Sequence, residues 1–146
     1  MLETSETLRE LLKNYQTVLR TISDQEAEKK PARDKWSPKE ILGHLADSAT
    51  NNQMKFVKAM ECSGQKVAGY NQDKWVFIQQ YQKRKWEEII DLWVAINSQI
   101  AHIMAVARPE TRHNELYVEG QGPYTLEFLM KDYINHQKHH LAQIVP

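Results

Sequence analysis

The chain has 146 residues, with 19 basic and 19 acidic side chains and a formal net charge of zero. A chain of this length can bury one sizeable core, so we expect a single domain over residues 1–146. The absence of a basic excess argues against a nucleic-acid-binding surface. No stretch reaches the roughly 18 apolar residues of a membrane span, and the acidic, amphipathic N-terminus is unlike a signal peptide. The single cysteine, Cys62, fits a reducing cytoplasm, where we expect the protein to act.

Four amphipathic segments predict helices, because their apolar residues align when each residue advances by about 100°. The first covers about residues 5–23. The second begins at Ser37, where Ser-Pro-Lys-Glu offers an N-cap, a proline in the first turn and a glutamate that can close a capping box. The third and fourth cover about residues 84–107 and 125–144, and a short helix is expected within residues 73–83. With no convincing strand, the sequence predicts an all-α four-helix bundle.

Two connections are longer than a compact bundle requires. Residues 61–72 are expected to be irregular, and residues 108–124 to form a long, glycine-containing loop. Long loops are often functional. We therefore expect the loop at 108–124 to flank the entrance to any site in the bundle.

The histidines are the strongest candidates for chemistry. His136 and His140 are spaced i, i+4, which places two imidazoles on one helix face, close enough to bind one metal ion. His140 falls inside the apolar stripe and His136 at its edge, whereas His139 should point outward. His44 lies at the edge of the second helix's stripe, beside the polar residue Asp47. A third imidazole from this helix would leave the open coordination position that a catalytic metal needs.

The same residues have simpler interpretations. An i, i+4 histidine pair also arises by chance, and His44 alone could be a hydrogen-bonded residue at the edge of the core. Asp47 could be an ordinary solvated helix carboxylate. Other chemistries lack their motifs, since there is no glycine-rich phosphate loop, no Gly-x-Ser-x-Gly and no Glu-x-x-His for a di-iron centre. Any metal site should therefore be mononuclear.

Two segments resemble the motifs of a known family. Residues 36–48, Trp-Ser-Pro-Lys-Glu-Ile-Leu-Gly-His-Leu-Ala-Asp-Ser, resemble the second-helix motif of the DinB superfamily. The pattern His136-x-x-x-His140-x-x-Gln143-Ile144 resembles its fourth-helix motif. Between them, residues 69–75 and 86–90 resemble the branch that contains YfiT-like proteins and bacillithiol transferases.

This resemblance implies a bundle of up-down-down-up topology that often forms a homodimer. It also implies a divalent metal, such as zinc or nickel, held by His44, His136 and His140. The resulting hypothesis is an enzyme that activates water or a low-molecular-weight thiol against a small electrophilic substrate. Asp47, one turn after His44, could orient a ligand imidazole or accept a proton. The alternative is a non-catalytic module that binds a metal or a small ligand.

Overall fold

The computed structural model describes residues 1–146 and consists mainly of helices. Four long helices form a bundle, which confirms the predicted fold class, and two short helices lie in its connections. In chain order the helices are α1 (Leu2–Leu19), α2 (Asp24–Ala27), α3 (Pro38–Glu61), α4 (Gln72–Gln79), α5 (Trp86–Val106) and α6 (Leu126–Ile144).

Side-chain caps fix where the helices begin. At the start of α3, Ser37 Oγ accepts a hydrogen bond from the backbone of Glu40 at 3.2 Å, and the Glu40 carboxylate accepts one from the backbone of Ser37 at 2.8 Å. This is the predicted capping box. The first helix ends at Leu19 instead of near residue 23, because Ser23 caps the separate helix α2 with a capping box of its own.

Contacts between helix ends establish the direction of α5. The indole nitrogen of Trp86, at the start of α5, donates to the carbonyl of Leu19, at the end of α1, at 2.8 Å. The indole nitrogen of Trp93, in the first half of α5, donates to Gln137, in the second half of α6, at 2.9 Å. Helix α5 is therefore antiparallel to both α1 and α6.

Helix α3 is also antiparallel to α6. The ring of His44, near the start of α3, contacts that of His140, near the end of α6, at a centroid distance of 4.8 Å. Further along, Phe56 of α3 contacts Tyr133 of α6 at 5.8 Å. Helices α3 and α5 consequently run parallel, and the order along the chain is up-down-down-up.

The expectation that the chain has no strands is wrong. Strands β1 (Gln65–Val67), β2 (Glu115–Val118) and β3 (Gln121–Thr125) form a small sheet in the order β1-β2-β3, with β1 parallel and β3 antiparallel to β2. These strands are too short to show alternation, and β1 pairs with a strand that is distant in sequence. The segment 108–124 is thus mainly a hairpin, whose two-residue turn at Glu119 and Gly120 has positive φ at both positions.

The sheet begins beside the end of α3, and the side chain of Glu119 in its hairpin turn lies against Gly69. The side chain of Asn114 donates to the carbonyl of Ala59, near the end of α3, at 2.8 Å, and the backbone of Gly64 donates to that of Glu115 at 2.8 Å. Since α3 and α5 are parallel, residues 62–85 must return along α3 to the histidine end. This return segment carries β1, α4 and a 3-10 turn at Tyr81–Lys83.

One core of 28 buried hydrophobic residues runs through the bundle. Helix α5 is long and apolar enough to cross a membrane by length and composition alone. Its residues Trp86, Ile90, Trp93 and Met104 are nevertheless buried among the other helices. The apolar composition of α5 thus matches its burial in the core.

Candidate metal centre

Three imidazoles from two helices converge at one end of the bundle. His44 comes from the second turn of α3, and His136 and His140 come from successive turns of α6. One ligand nitrogen from each lies within 4.8 Å of the others. The Nε2 atoms of His44 and His136 are 3.2 Å apart. The structure thus brings together the three histidines that the sequence singled out.

All three imidazoles are neutral near pH 7. Burial, followed by the neighbouring imidazoles, lowers the pKa of His44 to about 3. Burial likewise lowers the pKa of His136 to about 4, with smaller effects from His140, His139 and Lys55. Burial also lowers the pKa of His140, although the hydrogen bond that its Nδ1 donates to Gln143 Oε1 raises the pKa. Only neutral histidine can ligate a metal, so burial keeps the nitrogens available.

The spacing of the nitrogens fits a metal ion. Zinc binds histidine nitrogen at about 2.0–2.1 Å in tetrahedral geometry, which separates neighbouring ligand nitrogens by roughly 3.3 Å. The 3.2 Å between the Nε2 atoms of His44 and His136 is close to this value. No carboxylate or cysteine joins the cluster, so a cation held there would keep its full charge.

Neighbouring groups orient two of the rings. The Nδ1 atom of His140 lies 3.1 Å from Gln143 Oε1, and Nδ1 of His136 lies 3.4 Å from Ser48 Oγ. Each contact leaves Nε2 directed toward the cluster. The ring of Trp36 packs on that of His44 at a centroid distance of 5.0 Å, while Nδ1 of His44 is buried without a hydrogen-bond partner.

The remaining histidines lie outside the cluster. His139 is exposed on the outer side of α6, as its helical phase predicts. Its ring still touches the edge of His140, at a centroid distance of 5.1 Å. His102 on α5 and His113 in the 3-10 turn before β2 are also exposed.

Asp47 is buried, contrary to its interpretation as a solvated helix residue, with only 3% of its surface exposed. Its Oδ1 atom accepts hydrogen bonds from the Tyr81 hydroxyl at 2.6 Å and from Gln79 at 2.5 Å, and its Oδ2 atom has no partner. These donors, and no imidazole, orient the carboxylate. Burial raises the pKa of Asp47, although the two hydrogen bonds oppose the rise.

The return segment brings two tyrosines to the site that the sequence did not single out. The ring of Tyr81 lies against Gly43, where any side chain would overlap it. Tyr70 is half-buried, packs on Trp75 at a centroid distance of 5.1 Å and lies near Ser48. Burial, with the nearby Asp47 charge, raises the pKa of Tyr70 to about 12. Sequence spacing could not reveal these neighbours, because the segment returns along α3 only through tertiary packing.

A cavity of about 830 Å³ opens onto the cluster at His140 and Gln143. Its wall is the segment of residues 29–38, which contributes Trp36, together with the start of α4. No residue of 108–124 lines this cavity, whereas Glu119 at the hairpin turn lies against Gly69, next to Tyr70, so an entrance beside that segment stays a prediction.

A buried lysine holds the wall of this cavity in place. Lys39 in the first turn of α3 is 1% exposed, and its ammonium lies 3.0 Å from Asp24 and 2.9 Å from Glu28. The other oxygen of Asp24 accepts from the backbone of Trp86 at 2.6 Å. The residues just before the cavity wall are therefore tied to both α3 and α5.

The fold and the cluster define a mainly helical protein, a four-helix bundle with a small sheet and a candidate three-histidine metal centre. The family description of the DinB superfamily matches residues 7–144, and the chain therefore belongs to the DinB superfamily. The structure is similar to that of YfiT from Bacillus subtilis, described as a probable metal-dependent hydrolase with an unusual four-helix bundle topology. The TM-score is 0.87 at 17% identity, over 97% of this chain and 82% of that one, which shows a shared fold. No curated protein sequence matches the chain significantly.

Proposed function

We propose that this protein is a metal-dependent enzyme in which His44, His136 and His140 hold one divalent cation, such as zinc or nickel. The observation that carries this proposal is the convergence of three neutral imidazoles within 4.8 Å. Three protein ligands leave a position open, as in catalytic zinc sites. When bound, a cation there would lower the pKa of a water or thiol ligand. The ligand would then lose its proton near neutral pH and become a hydroxide or thiolate nucleophile.

Asp47 is the proposed proton acceptor. It lies on α3 one turn after His44, and its buried Oδ2 atom is free of hydrogen bonds. Tyr81 and Gln79 hold the other oxygen, so the carboxylate has a fixed orientation. General base catalysis is most efficient when the pKa of the base lies near the working pH. Burial raises the pKa of Asp47 and so brings it closer to that range.

The proposed substrate is a small molecule that enters through the cavity at His140. Its volume of about 830 Å³ falls within the roughly 300–1,000 Å³ typical of small-molecule sites. Trp36 offers an aromatic face there, and Lys29, Lys35 and Asp34 line the cavity. These groups support a compact electrophile with a flat or polar portion.

Two reactions can begin from this geometry, since water and thiol are activated in the same way. Hydrolysis is favoured by the similarity to YfiT, which is described as a probable metal-dependent hydrolase. Transfer of a low-molecular-weight thiol, which the resemblance of residues 69–75 and 86–90 to the transferase-containing branch favours, is the other reaction. The non-catalytic alternative is a module that uses the same histidines to bind a metal or a small ligand.

Purification without a His tag or chelator, followed by elemental analysis, tests the metal centre first. The metallated protein should then be offered activated esters and amides without thiol, and monochlorobimane with a low-molecular-weight thiol. His136→Ala and the exposed matched variant His139→Ala serve as the comparison. Cleavage lost only in His136→Ala supports hydrolysis, and conjugation lost only in that variant supports transfer. Equal rates in all three proteins across the panel would favour the non-catalytic module.

We also propose that the protein is a cytoplasmic homodimer. Support for an additional contact surface comes from Phe77 and Ile78 on α4, which are 78% and 71% exposed. Light scattering at high micromolar concentration tests the assembly, and a monomer would contradict it.

A further inference from the structure

Ser48 is the centre of a hydrogen-bond group beside the candidate metal centre. Its Oγ atom lies 3.4 Å from Nδ1 of His136 and accepts from the side chain of Asn52 at 3.2 Å. Asn52 is held in turn by the Ser48 backbone carbonyl at 2.9 Å. The hydroxyl of Tyr70, from the return segment, is the third neighbour of Ser48. Ser48 itself is only 3% exposed, so solvent does not compete freely for these contacts.

These contacts allow two arrangements of protons. In the first, His136 donates from Nδ1 to Ser48, the Ser48 hydroxyl proton is directed toward the nearby Tyr70, and His44 donates from Nε2 to Nε2 of His136. In the second, every donor is reversed, so that His44 carries its proton on Nδ1. Both satisfy Ser48, whose hydroxyl has one donor and two acceptor sites.

The environment of His44 distinguishes the two proton arrangements. Its Nδ1 atom is buried without a partner. The second arrangement would bury an N–H group with nothing to accept it, and such orphaned donors are rare in folded proteins. The first leaves only a ring lone pair without a partner. It also leaves the Nε2 lone pair of His136 facing the cluster, which is the form that can bind a metal.

We propose that Ser48, supported by Asn52 and Tyr70, is a positioning residue that holds His136 in the tautomer with its proton on Nδ1. This inference rests on the proposed metal-dependent function and deepens it. The group orients the lone pair of His136 before any cation arrives. His44, by contrast, is protonated on Nε2 in the metal-free protein. To become a ligand through Nε2 it must release that proton to solvent and take up a proton on Nδ1.

Nitrogen NMR of metal-free protein labelled with 15N-histidine provides a test that needs no substrate. Long-range proton–nitrogen correlations identify which ring nitrogen carries the proton, and histidine variants assign the signals. We expect Nδ1–H for His136 and Nε2–H for His44. In Ser48→Ala, the His136 signals should shift toward a mixture of tautomers, and Tyr70→Phe should shift them in the same direction. Zinc titration should show affinity reduced by about 10–100-fold in Ser48→Ala, the usual effect of removing a group that orients a ligand.

Ser98→Ala is the matched control, since Ser98 is an exposed helix serine that bonds only the carbonyl of Val94. It should leave the tautomers and zinc affinity unchanged, and thermal unfolding checks the fold of every variant. An Nε2–H tautomer for His136 in the wild-type protein would overturn the inference. Unchanged tautomers and zinc affinity in Ser48→Ala would also do so. The expected tautomers in a protein without activity would count against the proposed function alone.

Discussion

The Nε2 atoms of His44 and His136 lie 3.2 Å apart, although 92 positions separate the two residues in the sequence. Antiparallel packing of α3 and α6 causes this proximity, because it places the second turn of one helix against the later turns of the other. His140 then completes the cluster one turn further along α6. The helical spacing of the pair and the helix packing are both required for a three-nitrogen site.

Replacing His140 by alanine should abolish stoichiometric binding of zinc, whereas His139→Ala should leave one ion per chain. The two residues are neighbours in sequence, but only His140 belongs to the cluster and His139 is exposed. Elemental analysis after dialysis measures the metal content of each variant. Equal losses in both variants would contradict the assignment of ligands.

The metal-free protein should become less stable as the pH falls below about 6.5. Folding lowers the pKa of His44 from 6.5 to about 3 and that of His136 from 6.5 to about 4. At pH values between these lowered pKa values and 6.5, the native state therefore binds fewer protons than the unfolded chain. The free energy of unfolding therefore decreases with falling pH across this window. Thermal unfolding of chelator-treated protein at a series of pH values measures the trend.

Buried Asp47 acts in the opposite sense, because its raised pKa favours the native state as the pH falls. A double variant, His44→Gln with His136→Gln, isolates the histidine contribution and should flatten the profile. Exposed His102 provides the control, and His102→Gln should preserve the wild-type slope. A slope that survives in the double variant would assign the acid sensitivity to other groups.

Asp47→Asn should reduce the turnover number about 10²–10⁴-fold, the usual contribution of a general base, with little change in metal content. Asparagine keeps an oxygen that can accept from Tyr81 and Gln79, so the local structure should persist. The assay uses whichever substrate the hydrolysis and conjugation panel identifies, together with elemental analysis. Full activity in the metallated variant would exclude Asp47 as the proton acceptor.

Gly43→Ala should destabilise the protein by about 1–3 kcal/mol, the usual cost of overpacking a filled site. Alanine is the better helix former by roughly 1 kcal/mol, but its methyl group would overlap the ring of Tyr81. Tyr81 would have to move away from Asp47. Urea unfolding measures the change in free energy.

Combining Gly43→Ala with Tyr81→Ala should remove the overlap. The double variant should then lose less stability than the sum of the two single variants. Additive losses would show that the packing of Tyr81 on Gly43 is not the reason for glycine at this position.

The local sequence was sufficient to predict where the long helices α3 and α6 begin and which histidines of α6 share one face. The capping box at Ser37 located the start of α3, and Thr125 was correctly placed at the start of α6. The phase of α6 also separated His136 and His140 from the outward-facing His139. These features were predictable because capping and helical periodicity depend on residues within a few positions of one another.

Only the tertiary structure decided the surroundings of the histidines. Tyr81 and Gln79 reach Asp47, and Tyr70 lies near Ser48, because residues 62–85 run back along α3. The same packing forms the sheet from β1 and a distant hairpin, and it forms the cavity between residues 29–38 and His140. Such contacts join segments far apart in the chain, so no local pattern specifies them; they follow from how four amphipathic helices bury their apolar faces together.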